Sequence, residues 1–164
     1  MKHITANRED INLLKELLRK KKEKMEQRFP EWEKQRDEWI ARVKELYKEL
    51  HGWLKPLEDE EYLKISYTDI SISEAQIGVY SVQKMLITFF NNQKIELEPV
   101  GLHVVGNDGR IDMKFASQTM MLIGSPDEGK WMFMERREDK ENPTSWNFDH
   151  ESLRSFLTDF IEEF

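Results

Sequence analysis

Arg110-Ile111-Asp112-Met113-Lys114-Phe115 alternates charged and apolar residues without a fault. A period of two places Ile111, Met113 and Phe115 on one face of an extended strand and the charges on the other. The preceding Gly106-Asn107-Asp108-Gly109 is rich in residues that accept positive φ, so Leu102–Val105 is expected to return on Arg110–Phe115 as a hairpin.

The same reading extends in both directions. C-terminally, Thr119–Ile123 and Lys130–Glu135 flank a turn from Gly124 to Gly129. N-terminally, Lys94–Glu98 alternates, Asn91-Asn92-Gln93 turns the chain and Met85–Phe90 forms the preceding strand, with Pro99 and Gly101 bending the path. Tyr62–Tyr67 also alternates, but Ile70 and Ile72 continue with shifted parity, which a bulge near Thr68-Asp69 would explain. Ser73 and Gln76 have capping-box spacing, so Glu74–Ile77 is expected to form one helical turn closed by Gly78.

The charged segment from Arg136 to Ser145, with Pro143, reads as a loop. After it, Asp149 caps a helix. Leu153, Phe156, Leu157, Phe160, Ile161 and Phe164 fall on one broad apolar face, whose natural target is one face of the sheet. The other sheet face is left to solvent or to the N-terminal arm. The chain is therefore expected to be α+β, with an antiparallel meander of about six strands closed by a C-terminal amphipathic helix. This order of elements resembles the pleckstrin-homology superfold in outline.

Residues 1–55 have a helical period instead. Ile11, Leu18, Met25, Trp32, Trp39, Leu46 and Trp53 share one heptad position, whereas the second seam after Leu14 reads Lys21, Arg28, Gln35, Arg42 and Glu49. A stable coiled coil wants both seams apolar, so the pattern suits a narrow stripe docked on a flat surface. Pro30 removes a backbone donor and suits the first turn of a new helix. Helices near 8–28 and 30–51 are expected, ending at Gly52 and arranged as a hairpin or as a kinked rod. The domain division is 1–55, a helical arm, and 56–164, the sheet domain with its C-terminal helix.

The net charge of −7 divides along the same boundary. Residues 1–55 carry 15 Lys/Arg against 11 Asp/Glu, and residues 56–164 carry 10 against 21. An acidic main domain argues against nucleic acid wrapping around it. There are no cysteines, which excludes disulfides and thiolate chemistry. The polar N-terminus reads as no signal peptide, and no apolar run reaches the roughly 20 residues of a membrane span, so a cytoplasmic location is expected.

Catalytic motifs are missing. Ser81-Val82-Gln83-Lys84 has Ser-x-x-Lys spacing but lies in or beside a strand without companion motifs. His103, Asp108 and Asp112 could meet across a hairpin, yet three such residues are more often a polar surface patch, and no metal or cofactor is expected. These features favour a non-catalytic protein–protein interaction or assembly protein. Trp32, Trp39 and Trp53 are its candidate partner contacts, although sealing the arm onto its own domain or onto a second copy ranks ahead of a foreign partner. The cluster Arg19, Lys20, Lys21, Lys22 and Lys24 is a candidate site for anions, including nucleic acid, set against the commoner reading of a solvated helix face. An acidic immunity-type binder that neutralises a basic toxin or nuclease is a further reading. An enzyme whose site is assembled from scattered residues ranks last.

Overall fold

A computed structural model describes residues 8–103, 109–125, 129–135 and 145–164. Helix α1 spans Arg8–Asp59 and is followed by seven strands: β1 Leu63–Glu74, β2 Gly78–Phe89, β3 Lys94–Gly101, β4 Arg110–Phe115, β5 Gln118–Ser125, β6 Lys130–Glu135 and β7 Ser145–Asn147. Helix α2, His150–Glu162, follows β7. The strands form one antiparallel sheet in the order β1 to β7, each pairing with its sequence neighbour. The fold is thus α+β, a meander closed by a C-terminal helix. The three-residue β7 is a strand too short for the sequence pattern to reveal.

The N-terminal segment differs most from expectation. Instead of two helices near 8–28 and 30–51, α1 runs unbroken through Pro30, Gly52 and Pro56, which eliminates the hairpin. Pro30 withholds one N–H, but the surrounding residues 8–31 are exposed, so water can satisfy the freed carbonyl. Gly52 costs about 1 kcal/mol in a helix interior, a cost offset by Leu54 and Trp53 packing just beyond it. The stop comes later. Tyr62 N–H donates to the Leu57 carbonyl and Glu61 N–H to that of Glu58, with Glu61 at φ 63°, a Schellman closure in which glutamate takes the place usually held by glycine.

The β1–β2 hairpin also departs from the reading. Its twelve pairs from Leu63↔Phe89 to Glu74↔Gly78 hold a constant register, so there is no bulge at Thr68-Asp69. Burial nevertheless changes parity, from Met85, Ile87 and Phe89 to Tyr80 and Val82. A long two-stranded ribbon twists strongly, which turns the opposite face of its tip toward α1. Ala75–Ile77 is a reverse turn rather than a helical turn, with Gly78 at φ 86°. Pro99 and Gly101 belong to β3, which pairs with β4 across a register shift between them. Residues 104–108, and the segment 136–144 read as a loop, lie outside the described residues.

Met85, Leu97 and Met113 lie side by side on one sheet face, as do Ile111, Leu122 and Phe133, and all are buried. Both helices cover this face. Tyr47 of α1 packs on Tyr67 and Trp39 on Trp131, while Phe156 and Phe160 of α2 pack on Phe115 and Phe89. The opposite face carries the cross-strand ion pairs Lys84–Glu96 at 2.7 Å and Lys114–Glu98 at 2.5 Å. Asp149 caps α2 as expected, accepting from Ser152 N–H at 2.8 Å while its own N–H donates to Ser152 Oγ.

Candidate interaction surface

Two parts of α1 differ in burial. Trp39, Val43, Leu46, Tyr47, Leu50 and Leu54 are buried in the core shared with the sheet. Every residue from Arg8 to Glu31 is exposed. That projecting segment carries Ile11, Leu13, Leu14, Leu17, Leu18, Met25 and Phe29, each from 39% to 68% exposed. Singly exposed apolar residues are ordinary, but seven on one helical segment are more than scatter, and Ile11, Leu14, Leu18, Met25 and Phe29 share one side of it.

The projecting segment leaves the domain at a polar junction. Trp39 Nε1–H donates to the Tyr80 hydroxyl at 3.1 Å, and that hydroxyl donates to Glu74. The other Glu74 oxygen accepts the backbone N–H groups of Leu102 and His103 at 3.0 and 2.9 Å. Gly109 lies against the indole of Trp39, so close that a β-carbon there would collide with Cζ3 and Cε3 of the ring. One carboxylate thus ties the hairpin tip, the end of β3 and the helix together. Burial, reinforced by Glu74, pushes the Tyr80 hydroxyl up from its usual range.

The tryptophans read as partner contacts are placed by this packing. Trp39 has no exposed surface. Trp32 and Trp53 are half-buried against the same core, and Trp53 packs at a tilt against Phe148 and edge-on against His150. Arg19, Lys20, Lys21, Lys22 and Lys24 all lie on the exposed segment. Arg19 bridges Glu16 and Glu23, which holds the Glu16 carboxyl below its usual range, and Lys22 lies 4.0 Å from Glu26. The exposed surface from Ile11 to Phe29 is visible in sequence as periodicity, but the tryptophans farther along dominate that pattern.

The concave sites among the described residues include two clefts on the domain. A cleft of about 430 Å³ beside α1 is lined by Lys44, Lys48, His51, Lys55 and Tyr67. There the Tyr67 hydroxyl contacts His51 Nδ1 at 2.8 Å, and His51 Nε2 contacts Glu58 at 2.9 Å. The second Glu58 oxygen accepts from Ile65 N–H. The trio has the outline of an acid–base relay. Burial and the Glu58 charge push the Tyr67 hydroxyl up. The hydrogen bond from His51 holds Glu58 down, as suits a clamp between the end of α1 and β1. The helical spacing of Lys44, Lys48, His51 and Lys55 is the sequence signal that could have located this cleft. The second cleft, about 540 Å³, lies between α2 and the sheet, floored by Phe115, Met120, Phe156 and Phe160.

Of the His103, Asp108 and Asp112 constellation, Asp108 lies outside the described residues, and Asp112 accepts two hydrogen bonds from Arg110. Among the described residues, no three His, Asp or Glu side chains gather in metal-binding geometry, and no helix is long and apolar enough to cross a membrane. No family model, curated protein or solved structure matches this chain, so the outline resemblance to the pleckstrin-homology superfold rests on element order alone.

Proposed function

We propose that the protein is a non-catalytic interaction or assembly protein whose contact surface is the apolar stripe of the projecting part of α1, residues 8–31. The observation that carries this reading is the contrast in exposure along one helix. The apolar repeat continues for more than three turns beyond the last residue the sheet can cover. A lone helix in water gains little from propensity and much from packing an apolar face, so an uncovered face of this length is a surface that a partner would stabilise. The cytoplasm suits such a role for a chain without cysteines.

The test is a pair of full-length proteins, wild type and Leu14→Lys/Leu18→Lys. Both substituted side chains are exposed, so the fold should survive with an unchanged denaturation midpoint in dilute solution. Wild type should associate, with a second copy or another partner, and the double variant should lose that association. Identical behaviour of the two would overturn the reading.

A further inference from the structure

We infer that the occupant of this stripe is a second copy of the same chain, its projecting helix laid antiparallel against the first. The inference rests on the proposed docking role of residues 8–31 and identifies what fills the surface.

The first argument is steric. At about 100° per residue, Ile11, Leu14, Leu18 and Met25 lie on the same face of α1 as Val43, Leu50 and Leu54. From Trp39 onward that face is covered by the protein's own sheet. The helix is continuous from Arg8 to Asp59. A second α1 running parallel along the stripe would therefore carry its residues beyond 39 into the volume of the first sheet. A second α1 running antiparallel carries its own sheet away, past Arg8 of the first copy. Two copies related by a two-fold axis can then use the whole stripe without collision.

The second argument is complementarity of the two seams. One is apolar, with Ile11, Leu18 and Met25; the other reads Leu14, Lys21 and Arg28. Parallel pairing would set Lys21 and Arg28 against their own copies. Antiparallel pairing places Leu18 opposite Lys21 of the partner subunit, Leu14 opposite Met25 of the partner subunit and Ile11 opposite Arg28 of the partner subunit. Each cation then lies across an apolar side chain, covering it with its methylene stem while the charge reaches water. The weak second seam, a fault in a parallel zipper, fits a reversed copy of this sequence.

The third argument is size. The 24 residues from Arg8 to Glu31 span about 36 Å of helix. Pairing along that length would bury on the order of 700 Å² per copy, slightly below the roughly 800 Å² of a standard interface and enough for a specific dimer.

Sedimentation equilibrium of the full-length protein tests this directly. The mass should rise from 19.7 kDa toward twice that value across the micromolar range. Leu14→Lys/Leu18→Lys should remain monomeric, and Lys21→Leu should tighten the dimer by about tenfold or more. Orientation is read with nitroxide labels, which the absence of native cysteines makes simple. Antiparallel pairing predicts a longer label-to-label distance for Asn12→Cys than for Lys20→Cys, because the two copies of position 12 are offset by about 22 Å along the helix axes and those of position 20 by only about 2 Å. Equally short distances at both sites would overturn the arrangement.

A wild type that is monomeric throughout would overturn the homodimer. The same stripe would then be tested against vesicles of phosphatidylcholine and phosphatidylserine and against host lysate. Binding to either that the double variant loses would keep the docking role and assign it to a lipid surface or to another protein. Wild type and double variant behaving alike in every assay would overturn the docking role as well.

Discussion

Residues 8–31 and 39–54 belong to one helix and continue one apolar repeat, yet they have opposite fates. In the second segment the repeat meets the sheet, and six side chains fall to 3% exposure or less. In the first it meets water, and its seven large apolar side chains stay about half exposed. The segments also differ in kind. The buried one uses Trp39 and Tyr47, whose polar atoms find partners at Tyr80 and at the carbonyls of Gln83 and Leu97. The exposed one relies on Leu, Ile, Met and Phe29, none with a polar atom to satisfy, flanked by lysines. Periodicity establishes that a helix has an apolar face; it does not say what covers it.

The strongest way to break this comparison is at Trp39. Trp39→Ala removes a fully buried side chain that donates to Tyr80 and packs on Trp131, and should cost about 3–5 kcal/mol of stability. Leu18→Ala, on the projecting segment, should change the stability of the monomer by no more than about 0.5 kcal/mol. Urea denaturation of the two variants measures the gap. Equal losses would mean that the helix is energetically uniform and that the division near residue 32 is false.

Gly109 sharpens the same point from the other side of the contact. With φ at 77° and Trp39 pressed against its α-carbon, Gly109→Ala should cost about 2–3 kcal/mol from strain and overpacking together. Combined with Trp39→Ala, its added cost should drop to the backbone strain alone, about 1 kcal/mol. Additive losses in the double-mutant cycle would show that the two residues do not press on one another.

These residues also show what the sequence could and could not disclose. The alternation of Arg110–Phe115 and the spacing of Leu153, Phe156, Leu157 and Phe160 are legible because each is a local pattern set by one face meeting the core. Pro30 and Gly52 mislead as helix boundaries because local propensity there is overruled, by water on the exposed segment and by packing at Trp53 and Leu54. The parity change at Ile70 and Ile72 is legible as a fact but not as a cause, since a twist accumulated along twelve residue pairs looks, in sequence, like an inserted residue. The Glu74 junction is invisible because its partners, Tyr80 aside, are distant in sequence and two of them are backbone groups.

A smaller effect separates α2 from α1. Asp149 closes the capping box of α2, so Asp149→Ala should cost about 1 kcal/mol and should lower the midpoint of the whole domain, because Leu153 and Leu157 are part of its core. A loss confined to fraying of the last helix, with an unchanged global midpoint, would instead mark α2 as a separately stable appendage.

A further small effect lies where α1 ends. Glu58 accepts from His51 and from Ile65 N–H, and the His51 hydrogen bond, the largest influence, holds its carboxyl below the usual range. A depressed carboxyl contributes stability that is present above its unfolded value, about 4.3, and is lost as pH falls through the lower folded value. Wild type should therefore exceed Glu58→Gln in stability at pH 6 by less than about 1 kcal/mol, because the pair is partly exposed. The difference should shrink steadily as the pH is lowered below that unfolded value. A gap that stays constant through the acid range would assign the loss to packing of the substituted amide rather than to charge. No gap at pH 6 would mean that the Schellman closure at Glu61 ends the helix without help from the clamp.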